Sequence, residues 1–132
     1  MATVAKGTFE VKINPLEAYD STEGSLLGRL SIDKHFHGDL EGTSIGEMLT
    51  GMTSIKNSAG YVAIERVTGV LNGRSGSFIL QHTGTMTRGA QQLSVTVVPD
   101  SGTGQLAGLT GTLAIIVDAG KHSYEFEYAV PD

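Results

Sequence analysis

The chain has no cysteine and no tryptophan, and only three prolines, four phenylalanines and four tyrosines in 132 residues. Without cysteine there can be no disulfide, thiolate nucleophile, thiolate zinc site or iron–sulfur cluster. Long hydrophobic runs are also missing. The longest, Leu113–Val117, has the length of a strand and falls far short of the ~18 apolar residues that mark a spanning helix, so no membrane association is expected. The start, Met1 to Thr8, shows no basic segment followed by an apolar one and reads as a cytoplasmic start. Positive charge is scarce: nine basic against fourteen acidic residues give a net charge of −5. Phosphate binding needs a basic patch, and no nucleic-acid partner is expected. Only residues 45–99 carry a basic excess, four against two, which is a weak attraction for a small carboxylate at most.

Hydrophobic residues make up 39% and charged residues 17%, an ordinary globular balance for one domain spanning residues 1–132. Glycine is abundant, with 18 residues and no three-residue period. Period-two alternation dominates, and no long stretch keeps a helical period. Phe9, Val11 and Ile13 alternate with Thr8, Glu10 and Lys12, and Asn14-Pro15 ends that strand. Residues 16–27 are polar and acidic and read as a long loop. Further strands are predicted over 28–37, 44–56, 61–71, 76–86, 92–98, 112–117 and 122–130. Asn72-Gly73 marks a tight hairpin between the fourth and fifth strands. Ser101–Gly111 reads as a structural loop with one short helical turn; it lacks the Lys-Ser/Thr of a phosphate loop. Eight strands joined by tight turns predict an all-β, eight-stranded antiparallel up-and-down barrel, in which closure leaves no exposed edge.

Face parity carries the functional expectations. In the second strand Leu30, Ile32 and Phe36 share one face, and His35 and His37 the other. An even-length turn at Asn72-Gly73 sets odd residues of the fourth strand beside even residues of the fifth. Glu65 and His82 then share a face, opposite each other or one diagonal step apart. Even loops on either side add Met48, Thr50 and Met52, and Leu93, Val95 and Val97, to that mostly apolar face, which is assigned to the lumen. The third to fifth strands also carry apolar residues on the outside. This predicts a homo-oligomer packed through them.

The lumen holds the sharpest chemical candidates. Glu65 and His82 form an acid–imidazole pair suited to proton transfer, or a mutually satisfied buried pair. Tyr61, Met48, Met52 and Phe78 are the expected ligand-lining residues. Outside, His35-x-His37-x-x-x-Glu41 is similar to the first half of a cupin metal motif. The second half is missing, and His82 would have to complete a metal site. The simpler expectation is no metal and no cofactor, with both histidines exposed.

Three segments carry a family resemblance: Gly60-Tyr61-Val62-Ala63-Ile64-Glu65-Arg66-Val67-Thr68-Gly69; Gly73-Arg74-Ser75-Gly76-Ser77-Phe78-Ile79-Leu80-Gln81-His82-Thr83-Gly84; and Val98-Pro99-Asp100 running into Ser101–Gly111. With the closing Tyr124-x-x-x-Tyr128, they resemble a family of small bacterial proteins classed only as a domain of unknown function. The resemblance covers about Gly7 to Val130 and implies an allene-oxide-cyclase-like barrel, with no established activity. Shared fold is a weak warrant for shared reaction, so no catalytic residue is carried over. The expectation is a barrel binding a mainly apolar small molecule in its lumen. The alternatives are a cofactor-free isomerase or cyclase using Glu65 and His82, and a cupin-like metal-binding barrel.

Overall fold

The alternating pattern is realised as nine strands in a computed structural model, which describes residues 2–17, 20–22 and 25–131. They are β1 (Thr3–Pro15), β2 (Asp20–Thr22), β3 (Ser25–Gly38), β4 (Leu40–Thr53), β5 (Ala59–Leu71), β6 (Arg74–Thr87), β7 (Ala90–Val97), β8 (Thr110–Asp118) and β9 (Lys121–Ala129). All neighbours are antiparallel, in the order β1-β9-β8-β7-β6-β5-β4-β3-β2. β1 closes the barrel by pairing with β9 through Thr3–Phe9 and with β3 through Gly7–Pro15. Eight strands thus form the closed, antiparallel barrel that the alternation predicts, and β2 is a short ninth strand on the end of β3. Asn72 (φ 46°) and Gly73 (φ 86°) make the two-residue turn between β5 and β6. Both central residues have the positive φ that matches a hairpin's twist.

Several predicted boundaries move, notably those of β3 and β4. Residues 25–27, placed in the long loop, extend β3 and pair with β2, because Leu26 keeps the inward parity of Leu30 and Ile32. The rest of that loop prediction falls partly on residues 18, 19, 23 and 24, outside the described residues. The third predicted strand starts earlier, at Leu40, because Gly38 (φ 108°) and Asp39 turn the chain within two residues.

One end of the lumen is packed solid. Phe36, Leu40, Val67, Leu71, Phe78, Leu80 and Phe126 are buried there, with Phe78 stacked on Phe126 at 5.7 Å between ring centroids. Each such side chain contributes roughly 1.5–3 kcal/mol by leaving water. The glycine-rich segment after β7 closes this end: its single helical turn, Gly104–Leu106, inserts Leu106, and Leu109 follows. Ser101, Thr103 and Gln105 side chains accept hydrogen bonds from the backbone of Ile79, Ser77 and Ser75, holding the segment along β6. Tyr124 fixes the β3–β4 turn: its Oη accepts from Leu40 N at 2.9 Å and lies 3.0 Å from His37 O.

Candidate functional site

Cross-strand register sorts the inward side chains of β3 to β7 into rungs. The outermost is Leu26–Met52–Ala59–Met86–Gln91, followed by Gly28–Thr50–Tyr61–Gly84–Leu93 and then Leu30–Met48–Ala63–His82–Val95. The first two rungs and Leu30 and Met48 of the third line a cavity of about 560 Å³ at the unpacked end of the barrel. That volume falls in the range of roughly 300–1,000 Å³ of small-molecule pockets. Glycine makes the second rung roomy. Tyr61 lies against Gly84, its cross-strand partner, where a Cβ would come 2.4 Å from the ring. Only glycine at position 84 lets the tyrosine ring occupy that place.

Below the cavity a polar group spans successive rungs. His82 Nε2 donates to Glu65 Oε2 at 2.9 Å, and Lys34 Nζ donates to the same oxygen at 2.8 Å. Glu65 is fully buried, and His82 and Lys34 are 3% and 9% exposed. Burial alone would push the Glu65 carboxyl up; the hydrogen bond from His82 and the charge of Lys34 outweigh it and hold it below the usual carboxylate range. Lys34 is also flanked by Phe9 and Phe36, whose ring centroids lie 5.1 and 5.9 Å from Nζ. Glu65 Oε1 and neighbouring Ser44 Oγ are buried without a partner among the described residues.

The predicted residues therefore separate. Glu65 and His82 meet as a diagonal pair, with the face parity expected of them. Tyr61, Met48 and Met52 line the cavity, whereas Phe78 sits in the packed end and does not. Tyr61 is the link between the two regions, its ring 6.4 Å from that of His82, and desolvation followed by the Glu65 charge pushes its phenol up. Lys34 was not singled out in the sequence, although it shares the parity of Leu30, Ile32 and Phe36. A lysine in an inward register has to find a buried counter-charge.

The histidine metal site does not assemble. His35 and His37 stack on the outer face with ring centroids 5.2 Å apart, while His82 points into the lumen. His37 Nε2 lies 3.0 and 3.1 Å from the Glu10 carboxylate oxygens and its Nδ1 3.7 Å from Glu41. The Glu10 contact in particular raises its pKa. Among the described residues, no three His, Asp or Glu side chains come together in a way that could hold a metal ion.

A family model described as a protein of unknown function, DUF3224, matches residues 5–128. The chain belongs to the DUF3224 family. A DUF3224 protein of unknown function from Shewanella oneidensis MR-1, known from a crystal structure, is 50% identical over the whole of both chains and superposes with a TM-score of 0.95. No curated protein matches the chain. Likeness to DUF3224 thus gives the fold and the bacterial family, and the chemistry has to be argued from the cavity and the polar group beneath it. Among the described residues, no helix is long and apolar enough to cross a membrane.

Proposed function

We propose that this DUF3224 protein is a binding barrel that holds a mainly apolar small molecule in the open end of its lumen. The supporting observation is the cavity of about 560 Å³, walled by Leu26, Leu30, Met48, Met52, Met86 and Leu93 around a few polar groups. That is the usual make-up of a small-molecule pocket. Proton transfer by Glu65 and His82 has less support. Neither lines the cavity, and Glu65 is committed to two donors.

The test is binding of the neutral dye Nile red. The wild-type barrel should bind it with a fluorescence gain. Ala59→Trp, which sets an indole between Met52 and Met86, should abolish the gain while the melting temperature holds. Equal binding by that variant, or none by the wild type, would sink the proposal.

The barrel is further proposed to self-associate through the outer faces of β4 to β6. Ile45, Val62 and Ile64 are 65%, 49% and 50% exposed there, large apolar side chains close together on neighbouring strands. Arg66 on the same outer face and Asp33 and Glu47 along its edge provide both signs of charge, which suits a self-complementary interface.

A further inference from the structure

The second rung of the cavity sets a threonine and a tyrosine side by side. Thr50 and Tyr61 are cross-strand partners facing inward, flanked by Gly28 and Gly84. Both line the cavity, and neither hydroxyl has a hydrogen-bond partner among the described residues. They add two hydroxyl donors to a mainly apolar wall, the Thr50 hydroxyl beside Gly28 and the Tyr61 ring over Gly84. Charge is handled differently. Among the described residues, the one charged side chain lining the cavity, Arg29, is bound to Glu47, and Lys34 below is bound to Glu65. An anionic head would lose hydration here and meet, among the described residues, only cations already paired with carboxylates. Shape points the same way. All three methionines of the described residues line this cavity, and flexible thioethers mould to chains of variable conformation.

We infer that the cavity takes a neutral molecule with a flexible aliphatic body and one oxygen acceptor, such as an alkyl ketone, ester or alcohol, with that oxygen at Thr50 or Tyr61. This inference rests on the binding reading above and adds the charge and the head group of the ligand. It also makes Thr50 and Tyr61 the residues that set specificity.

Displacement of Nile red by three probes of equal chain length tests it: 2-decanone, 1-decanol and decanoate at pH 8. Both neutral probes should compete at least about tenfold better than decanoate, the equivalent of one uncompensated polar desolvation. Thr50→Val and Tyr61→Phe together should weaken 2-decanone about tenfold, its Kd being referred to each variant's own Nile red affinity. If the double variant fails to fold, one of the single variants, Thr50→Val or Tyr61→Phe, should still weaken the ketone severalfold. Decanoate binding as tightly as the neutral probes, or no response to these variants, would overturn the inference and leave the binding barrel standing. Failure of every probe and of the dye would overturn both.

Discussion

Lys34 Nζ and His82 Nε2 converge on a single oxygen of Glu65, at 2.8 and 2.9 Å, from strands on either side of it. The arrangement predicts an asymmetric response to mutation. Glu65→Gln leaves a buried ammonium beside a neutral amide and should cost about 3–5 kcal/mol, read as a lower urea midpoint with an unchanged slope. Replacing the whole group, Lys34→Met with Glu65→Leu and His82→Leu, removes the charges and the unpaired Glu65 Oε1 together. That triple variant should be at least as stable as the wild type. A Glu65→Gln loss below about 1 kcal/mol would mean that water reaches Lys34.

The same carboxylate sets an acid limb. Its native pKa lies below the ordinary range, so the unfolded chain takes up a proton first as the pH falls. The stabilisation is complete above the usual carboxyl value of about 4.3 and disappears as the pH drops through the depressed native value. Urea midpoints between pH 6 and pH 3 should fall less steeply for the triple apolar variant than for the wild type. Parallel curves would contradict this. His37 has the opposite sign: the Glu10 contact raises its pKa, so its share of stability is present at low pH and is lost as the pH rises through the native value. In an NMR titration Glu10→Gln should return His37 towards the ordinary value of about 6.5.

Tyr124 makes the packed end sensitive to one atom. Its hydroxyl accepts from the buried Leu40 amide at the β3–β4 turn. Tyr124→Phe keeps the ring packed edge-on against Phe36 and strands that amide. The expected cost is about 1–3 kcal/mol, with faster hydrogen exchange at Leu40 than at the neighbouring β4 amides. Unchanged exchange at Leu40 would show that another acceptor takes over.

Parity was the legible part of this sequence, and depth was not. Alternation with the Asn72-Gly73 turn placed Glu65, His82 and Tyr61 on one inward face, because a two-residue hairpin leaves no freedom of register, and an even-length loop near Asn57–Gly60 added Met48. Phe78 has the same parity, but it lies at the level of Val67, two rungs below His82, where the chain is packed. Which rungs are filled depends on how far the Ser101–Gly111 segment reaches into the barrel, a long-range fact that periodicity does not carry. Lys34 escaped notice for a related reason. Its flanking Asp33 and His35 face outward, so a polar run hides a charge that the register turns inside.

The outer surface yields the remaining prediction. Ile64 is half exposed between Glu47 on β4 and Gln81 on β6. A stable interface needs roughly 800 Å² per partner, more than a single side chain supplies, so the whole β4–β6 face has to contribute. Sedimentation of the wild type should give a species larger than the 13.8 kDa chain. Ile64→Glu adds a carboxylate beside Glu47 at the centre of that face, where like charges repel. The variant should sediment as a monomer with unchanged circular dichroism. Because Ile64 points away from the lumen, Nile red binding should survive the change, separating assembly from the cavity. A wild type that is already monomeric would remove self-association as the reason for this apolar face.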